Sequence, residues 1–460
     1  MAVEFGDDPG AWFGDNAHAA HHLASREVAA YQLEALARRF DALVAKIAPL
    51  GALAEAAGVA RIEAIEDAVP LLFPHGFYKS YPETWLAEHR FEELTEWLQH
   101  FTTCDLSPVA ARNFPTIDAW LAALDRETAL HIFHSSGTTG RLSFYPRGKL
   151  ENTRQTRHSR MSLADMVEPM GFARSALRFT MIWPSYATGH SAVLRAADLF
   201  RNSFTKTPDD FYPLFDARMS SDWQYFVMRA ENARLSGGAA LSPDDYTAQK
   251  IAESSALHSN EPKFVQGLLD RIGGALASEE IMLAGGPLAL HRIAELGLAK
   301  GMKSAFAPGS IVSSFGGLKG QGAPDKMVRT IEQFSGVSRL LHNYGMTELS
   351  TGFSMCAAGR YHCPPWVIPY LFDAKNGRPL AREGKQSGRV GFVDLAAQSY
   401  WGGFISGDSV DLDYNPCSCG RTTPHIGPQI ERLPSSDAAD MMIGAASAQA
   451  IEAALEVLRG

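Results

Sequence analysis

Four features that would assign the chain to a particular class of protein are scarce or missing. Only five of the 460 residues are cysteine, which is too few for a disulfide framework in a chain of this length. No apolar run approaches the length that spans a membrane, and residues 1–15 contain neither the basic nor the apolar region of a signal peptide. We therefore expect a reduced, cytoplasmic protein with no membrane among its partners.

Positive charge is the fourth scarce feature. The chain has 42 lysines and arginines against 51 acidic residues, a formal net charge of -9, and no lysine- or arginine-rich block. This balance argues against nucleic acid as the main partner. The hydrophobic fraction of 46% and the charged fraction of 20% are ordinary for a soluble globular protein with a large core.

The order of the predicted elements indicates a mixed α/β fold. Helical periodicity runs through residues 26–50 and 91–101. Short apolar runs that are typical of buried strands follow, and helical patterns at 287–301 and 324–336 lie between some of them. Strands that alternate with helices in this way favour parallel pairing. The strand-like runs cover residues 129–133, 142–146, 177–184, 280–288, 309–317, 338–345 and 388–395, and residues 373–389 are predicted to form a hairpin or loop.

A loop rich in glycine and hydroxyl side chains follows the first of these runs. The sequence HSSGTTGRLSFYP occupies residues 134–146. Its glycines let the backbone approach a ligand closely, and consecutive backbone N–H groups can bind an anion. The loop lacks the GK[ST] ending of a Walker A motif, so phosphate binding of another type is predicted. On composition alone, a plain surface turn is an equal alternative.

Two later motifs add chemistry to this loop. HNYGMTELSTG (342–352) follows an apolar strand, so its side chains are expected in the ligand crevice of an α/β sheet. Glu348 could hold Mg²⁺, Thr347 a phosphate, and Tyr344 could pack on a base. In FISGDSVDL (404–412), Asp408 in a tight Gly-Asp turn could accept ribose hydroxyls, although such an aspartate is commonly a plain turn residue.

In this order the three motifs resemble those of the adenylate-forming superfamily of acyl ligases. The phosphate loop matches residues 135–140, the YGxTE motif matches 344–348, and the GD motif matches 407–408. CSCGRTTPHI (417–426) resembles phenylacetate–CoA ligase-like enzymes. SSFGGLKG (313–320) resembles the acyl-protein synthetases that serve bacterial luciferase.

The resemblance implies an enzyme that binds ATP, Mg²⁺ and a carboxylic acid and forms an acyl-adenylate, which a second acceptor, usually a thiol, then receives. It also implies a role for each matching residue. The β- and γ-phosphates would be held by Ser135, Ser136, Gly137, Thr138, Thr139 and Gly140. Thr347 would serve the α-phosphate and Glu348 the Mg²⁺. Adenine would lie against Gly316, Gly317 and Tyr344, the ribose would bind Asp408, and Arg432 matches the family's arginine near the hinge.

Two catalytic lysines of the family have no direct counterpart. Ser143 stands where the phosphate loop often has a lysine, and either Arg141 or Lys319 could replace that charge. Lys319 is preferred because it follows the adenine-side glycines, although a solvated lysine is about as common. The second lysine belongs to the family's C-terminal domain, and no lysine follows Lys385 here. We expect a truncated C-terminal domain, with slow or partial chemistry or help from a partner protein.

The cysteines suggest a second metal. Four of the five follow the YGMTE motif, and a C-x₅-H-C followed by a distant C-x-C supplies enough soft ligands for tetrahedral zinc. We expect a structural Zn²⁺ bound by Cys356, His362, Cys417 and Cys419, with Cys363 as an alternative to His362. The other interpretation is a group of free, partly buried thiols. Because no cysteine lies beyond Cys419, self-acylation at a C-terminal cysteine is not expected.

Three further residues are predicted to line the acid pocket. Tyr186 and His190 lie in a glycine-flanked loop after the strand-like run 177–184, and Gly285 could form the opposite wall. The predicted organisation is a helical N-terminal region (1–110), an adenylate-forming core (111–430) and a C-terminal remnant (431–460). The leading function is adenylation of an aromatic or fatty acid, with transfer to coenzyme A or a partner protein. The alternative is a nucleotide- or acyl-adenylate-binding protein with little catalysis.

Overall fold

The computed structural model describes residues 3–135, 140–172, 177–318, 323–433, 446 and 448–459. The chain divides into two compact units. The first unit contains Met1–Met161 and Thr347–Gly460, and the second contains Ser162–Met346. The domain boundaries expected at residues 110 and 430 stay a prediction.

Helices precede, separate and follow the strands. Among the described residues, no helix has the length and apolar character needed to cross a membrane. Short 3₁₀ helices cover Ile65–Leu71, Phe77–Lys79, Glu168–Met170 and Pro208–Asp210. The α-helices are α1 (Pro9–Trp12), α2 (Ala17–His22), α3 (Ser25–Leu43), α4 (Ala48–Ala57), α5 (Glu83–Ala87), α6 (Phe91–Gln99), α7 (Ser107–Ala110), α8 (Ile117–Glu127), α9 (Lys149–Val167), α10 (Ala192–Phe204), α11 (Ser221–Leu235), α12 (Asp245–Ser259), α13 (Glu261–Gly273), α14 (Pro287–Ala299), α15 (Met327–Ser335) and α16 (Ala448–Arg459).

The strands fall into a parallel group and an antiparallel group. They are β1 (Phe133–His134), β2 (Phe144–Tyr145), β3 (Thr180–Thr188), β4 (Phe211–Arg218), β5 (Ile281–Gly285), β6 (Ile311–Phe315), β7 (Leu340–Tyr344), β8 (Phe353–Ser354), β9 (Tyr361–His362), β10 (Val367–Phe372), β11 (Lys385–Asp394), β12 (Gly403–Asp413) and β13 (His425–Arg432).

The second unit is built on parallel strands that are buried on both faces. The strands run in the order β4, β3, β5, β6, β7, and each neighbouring pair is parallel. Side chains alternate between the faces, so Ile281 and Leu283 join one hydrophobic cluster while Met282 and Ala284 join another. The first cluster includes residues of α13, α14 and α15, and the second includes residues of α10 and the end of α9. Helices on both faces explain the nearly continuous apolar sequences of these strands.

The first unit is organised around an antiparallel sheet in the order β10, β11, β12, β13, β9. β10 and β11 form a hairpin, and β11, β12 and β13 continue the sheet. A segment from the N-terminal region pairs with β12 beyond the end of β13: Phe73 bridges Phe404 in parallel, with N of Phe73 donating to O of Gly403 at 3.0 Å. The sheet is therefore completed by residues from opposite ends of the chain.

The structure confirms the α/β fold class and the parallel pairing. It also confirms the hairpin predicted around residues 373–389. The prediction was wrong beside the glycine loop, where β1 contains only one residue of the expected run 129–133 and β2 only two of the run 142–146. It also missed the three helices α11, α12 and α13 between β4 and β5.

Candidate functional site

The glycine-rich loop connects the strands of a short hairpin. β1 pairs antiparallel with β2, which places His134 opposite Phe144. Ser135 and Ser143 close the base of the loop. N of Ser135 donates to O of Ser143 at 3.0 Å, and N of Ser143 donates to Oγ of Ser135 at 3.1 Å. Gly140 has a φ of 79°, which favours glycine. The other predicted phosphate-loop residues lie outside the described part of the chain: Ser136, Gly137, Thr138 and Thr139.

Ser143, at the position where the family often has a lysine, has a structural role in the loop. Ser143 is buried at the base of the loop, where its backbone forms both of the closing hydrogen bonds. A lysine ammonium there would have to reach back to solvent. Arg141 lies near Glu83, with 3.7 Å between its Nη2 and the carboxylate Oε2. Lys319, the preferred substitute, lies outside the described residues.

Arg147 fixes the backbone around the predicted metal carboxylate. It is fully buried, and its Nη2 donates to O of Thr347 at 2.6 Å and also to O of Leu349. Its Nη1 donates to Oε1 of Gln155 at 3.0 Å, and its guanidinium lies 4.3 Å from the centre of the Phe133 ring. A single cation therefore holds the carbonyls on both sides of Glu348. Sequence reasoning missed this residue, because it lies outside every motif.

The side chain of Glu348 is buried and accepts a hydrogen bond. The hydroxyl of Tyr145 donates to its Oε1 at 2.8 Å. Burial raises the pKa of the Glu348 carboxyl, and the hydrogen bond from Tyr145 acts in the opposite direction. Tyr145 belongs to the FYP sequence just after the glycine loop, so the loop hairpin also supports the carboxylate.

The residues after Glu348 are anchored as firmly. Asp394 is completely buried, and its Oδ2 accepts hydrogen bonds from N (2.7 Å) and Oγ (2.6 Å) of Ser350. Oγ1 of Thr351 accepts a hydrogen bond from Nε1 of Trp366 and lies 2.9 Å from Nδ1 of His158. Three consecutive residues, 349–351, are thus held by side chains from other parts of the chain, which fixes the backbone that carries Glu348.

Asp408 lies inside a strand and not in a turn. The predicted Gly-Asp turn is wrong: both residues are part of β12, and Asp408 pairs with Arg432 on β13. Nη1 of Arg432 donates to Oδ1 of Asp408 at 2.9 Å. A Cβ on Gly407 would lie 2.7 Å from Cζ of Arg432, so the glycine makes room for the guanidinium. The glycine that suggested a turn instead leaves space for the Arg432 guanidinium beside Asp408.

His75 connects this pair with Glu348. Its Nε2 lies 3.1 Å from Nη2 of Arg432, and its Nδ1 lies 3.9 Å from Oε1 of Glu348. The side chains of His75 and Glu348 are both only 11% exposed. Nothing in the aromatic, proline-rich sequence of residues 69–83 indicates this role.

The predicted adenine-side residues lie in the second unit. Gly316 follows β6 with a φ of 72°, and a Cβ there would contact nothing within 4 Å. Gly317 follows it, and Tyr344, which is 7% exposed, ends β7. The YGMTE motif therefore spans the division between the units, because Thr347 begins the second segment of the first unit.

Two of the predicted acid-pocket residues have partners within the second unit. The hydroxyl of Tyr186 lies 2.9 Å from Oγ of Ser254 and 3.3 Å from Nε2 of His258, both on α12. His190 is buried, and Nη2 of Arg218 lies 2.9 Å from its Nδ1. An acid-pocket role for either residue stays a prediction.

Gly285 has a packing reason of its own. A Cβ at this position would lie 2.7 Å from Cγ of Pro184, and β5 pairs with β3 just before this point. The glycine therefore permits close approach of the two strands, and its role as a pocket wall stays a prediction.

The predicted zinc ligands form one cluster. Cys356, His362, Cys417 and Cys419 place their ligand atoms within 4.8 Å of one another. Nε2 of His362 lies 3.4 Å from Sγ of Cys419. The cluster contains His362 and not the neighbouring Cys363, so the first of the two expected ligand sets is the one brought together. A zinc–sulfur distance of about 2.3 Å requires thiolates roughly 3.8 Å apart, which small adjustments of these side chains achieve.

The N-terminal region packs on the loop that carries two of these cysteines. Oγ1 of Thr423 lies 2.9 Å from Nδ1 of His21 and 3.2 Å from Nδ1 of His362. Oγ1 of Thr422 donates to O of Leu23 at 2.6 Å. His362 is thereby oriented through its Nδ1, which leaves Nε2 directed toward the cysteines. Burial lowers the pKa of His21 to about 3, so this histidine is neutral.

Known proteins match this chain by structure and not by sequence. No protein-family model and no curated protein matches the sequence. The structure of 2-hydroxyisobutyryl-CoA ligase in the postadenylation state, in complex with R3-HIB-AMP, matches over 90% of this chain and 69% of its own, with 14% identity and a TM-score of 0.51. The chain has the adenylate-forming fold. A long-chain-fatty-acid-CoA ligase (FadD1) from Archaeoglobus fulgidus matches over 68% of this chain and 53% of its own, with 14% identity and a TM-score of 0.35.

Three groups of polar residues in the first unit belong to the candidate site. The loop hairpin, the segment after β7 and the Asp408–Arg432 pair were each selected from the sequence by their motifs. The structure adds the side chains that hold them, namely Tyr145, Arg147, Asp394 and His75.

Proposed function

We propose that the protein activates a small carboxylic acid as its acyl-adenylate, with ATP as the second substrate and Mg²⁺ as the metal. The observation that carries the proposal is the chain of contacts among Glu348, His75, Arg432 and Asp408 in the first unit. Carboxylate oxygens are the ligands that Mg²⁺ prefers, and it usually shares them with substrate phosphates. The adenylate-forming fold supports the same conclusion.

In the proposed reaction an oxygen of the substrate carboxylate attacks the α-phosphorus of ATP. The bond from that phosphorus to the bridging oxygen breaks, and pyrophosphate leaves. Catalysis would come from positioning and charge stabilisation, to which bound Mg²⁺ contributes by neutralising phosphate charge. Thr347 would donate to the α-phosphate, backbone N–H groups of residues 135–140 would bind the β- and γ-phosphates, and Asp408 would accept the ribose hydroxyls. Gly316, Gly317 and Tyr344 would contact adenine.

The state of the Glu348 carboxyl matters for this role. A carboxyl whose pKa is raised by burial binds protons more readily than a solvated one, and a nearby divalent cation favours the ionised form. Protons and Mg²⁺ therefore compete for Glu348. We expect the Mg²⁺ concentration needed for half-maximal activity to rise as the pH is lowered toward the raised pKa of this carboxyl.

The acyl acceptor is proposed to be a thiol. Likeness of the fold to a CoA ligase supports coenzyme A as the first acceptor to test, and a carrier-protein thiol as the second. The acid is proposed to be aromatic or fatty.

The test is acid-dependent exchange of pyrophosphate into ATP with a panel of aromatic, hydroxy-aromatic and aliphatic acids. We expect exchange with one class of acid and its loss in Glu348→Ala. Absence of exchange with every acid, while ATP still binds by calorimetry, would overturn adenylation and leave a nucleotide-binding protein. Absence of ATP binding would reject the nucleotide site as well.

We also propose that the cysteine–histidine cluster binds a structural zinc ion. Three thiol ligands and one imidazole are a common structural zinc set, and Thr423 supplies the outer contact that orients a ligating histidine. Bound zinc would join the segment after β8 to the loop before β13. It supplies no step of the reaction.

Elemental analysis of the purified protein tests this site. We expect close to one zinc per chain in the wild type and a loss in Cys417→Ser, with Cys104→Ser as the matched control because Cys104 lies outside the cluster. Zinc well below one per chain in protein purified without chelator would reject the site.

A further inference from the structure

His75 is placed beside the candidate site by backbone pairing. Phe73, two residues before it, bridges Phe404 in parallel, and N of Ile405 donates to O of Phe73 at 2.8 Å. His75 follows two residues later, and its Nε2 lies 3.1 Å from Nη2 of Arg432. This pairing brings the imidazole of His75 to Arg432 without any sequence motif.

The contacts of His75 determine where its proton lies. A guanidinium has only donors, so Arg432 donates to Nε2 of His75 across their 3.1 Å separation. Nε2 is then the unprotonated nitrogen, and the proton of the neutral ring lies on Nδ1. That nitrogen is the one nearest Glu348, 3.9 Å from its Oε1. The ring therefore presents an acceptor to the arginine, and its Nδ1–H faces the carboxylate at 3.9 Å, a distance longer than a direct hydrogen bond.

Neutrality suits a residue between a cation and an anion. A lysine at position 75 would repel Arg432 and would compete with a divalent cation for Glu348, whereas a neutral donor does neither. Arg432 in turn donates to Oδ1 of Asp408 at 2.9 Å. The four side chains form one continuous series from the proposed ribose carboxylate to the proposed metal carboxylate.

We propose that His75 is a positioning residue that couples the ribose end of the nucleotide site to its metal end. The coupling rests on the function proposed above. Through Nε2 the ring holds Arg432, and hence Asp408, in position for the ribose hydroxyls. The Nδ1–H dipole, 3.9 Å from Oε1, attracts the carboxylate of Glu348 and would orient it for Mg²⁺. Each arm uses a different ring nitrogen, so the two arms can be removed separately.

Two substitutions separate the arms. In His75→Gln the amide reaches the position of Nε2, which keeps an acceptor for Arg432 and removes the N–H that faces Glu348. In His75→Asn the amide reaches only the position of Nδ1, which keeps that donor and removes the acceptor. His18→Asn, at an exposed histidine, is the matched control.

Nucleotide binding is measured by calorimetry, so that the test does not depend on turnover. For His75→Asn we expect the Kd for ATP to rise about tenfold while the Kd for 2′-deoxy-ATP changes little, because a hydrogen bond to a charged group is lost at the ribose end. For His75→Gln we expect the preference for ATP over 2′-deoxy-ATP to remain and the Mg²⁺ concentration for half-maximal ATP binding to rise severalfold. The control should match the wild type.

Equal profiles for the two variants, or wild-type behaviour in both, would overturn the coupling while leaving adenylation untouched. Exchange activity failing in the wild type while these binding profiles separate as expected would overturn the proposed catalysis and leave the coupling. The two failures are therefore distinguishable.

A spectroscopic measurement tests the tautomer itself. In protein labelled with ¹⁵N-histidine, and with His75→Gln used for assignment, we expect the resonances of a neutral ring protonated at Nδ1. In Arg432→Gln we expect that preference to weaken. A ring protonated at Nε2 in the wild type would contradict the donor and acceptor assignment on which the proposal stands.

Discussion

The two units differ in the kind of side chains that surround their predicted site residues. In the second unit, parallel strands and helices bury apolar side chains on both faces of a sheet, and the residues left at the strand ends are mainly glycine and aromatic. In the first unit, buried Arg147, Asp394 and Glu348 are matched by hydrogen bonds over long sequence distances. At these places the second unit relies on apolar packing and the first on buried hydrogen bonds, and the first unit also has an aromatic core that includes Trp97, Trp120 and Trp401. Substitutions should therefore act differently in the two.

The largest effect is expected at Glu348. Glu348→Gln keeps an acceptor for Tyr145 but removes the charge that would bind Mg²⁺. We expect the rate of pyrophosphate exchange to fall by about 10²- to 10³-fold, the cost of losing one preorganised electrostatic group. Exchange assays at saturating ATP measure the change, with circular dichroism as a check on folding. Near wild-type exchange would remove Glu348 from the metal site.

Arg147 should matter next. Arg147→Met leaves the carbonyls of Thr347 and Leu349 buried without their donor, and we expect a loss of about 2–4 kcal/mol in the free energy of unfolding. Denaturation by urea measures it. Arg126→Met, at an exposed arginine paired with Glu127, should change stability by less than about 1 kcal/mol. A variant of Arg147 as stable as that control would show that the buried hydrogen bonds are replaceable.

Two glycines test packing in the second unit. A Cβ on Gly297 of α14 would lie 2.2 Å from Cε2 of the buried Phe334, whereas a Cβ on Gly267 of α13 would contact nothing within 4 Å. We expect Gly297→Ala to cost about 1–3 kcal/mol by overpacking and Gly267→Ala to add about 0.5–1 kcal/mol through helix propensity. Thermal unfolding of both variants measures the change in melting temperature. Equal shifts in melting temperature would mean that α14 and Phe334 move apart at little cost.

The smallest effect concerns pH and the first unit. Because the folded-state pKa of Glu348 is raised, ionising this carboxyl opposes folding. The stability it contributes is present below the unfolded-state pKa, near the ordinary value of 4.5, and is lost as the pH rises through the higher folded-state pKa. Without nucleotide or Mg²⁺, Glu348→Gln should be more stable than the wild type at pH 7, and the two should converge near pH 4. A stability difference between the two proteins that does not vary with pH would show that it comes from packing and not from ionisation of Glu348.

The two units also differ in how well their structure could be predicted from the sequence. The apolar runs that contain β3, β5, β6 and β7 could be recognised because strands buried on both faces carry continuous apolar residues. Helices α11 and α12 could not, because few of their residues are buried and the apolar pattern is weak. The adenylate-forming fold itself was predictable from three short motifs in order.

The sequence predicted the motif residues of the candidate site but not the side chains that hold them in place. Arg147 lies 202 residues from Leu349, and His75 lies 357 residues from Arg432, so no local pattern joins them. Asp408 was assigned to a turn because glycine precedes it, whereas the glycine accommodates a guanidinium from the next strand. The cysteine spacing did lead to the cluster that the structure brings together.

The division of the chain also sets an order of events during synthesis. Residues 162–346 leave the ribosome as one uninterrupted segment that contains the parallel strands β3 to β7. Phe73, in contrast, must wait for Phe404, which is synthesised 331 residues later (404 minus 73). At roughly 5–20 residues per second this delay is on the order of 15–60 s. We expect the nascent N-terminal region to be a chaperone client during that interval, while the segment that follows it is already folded.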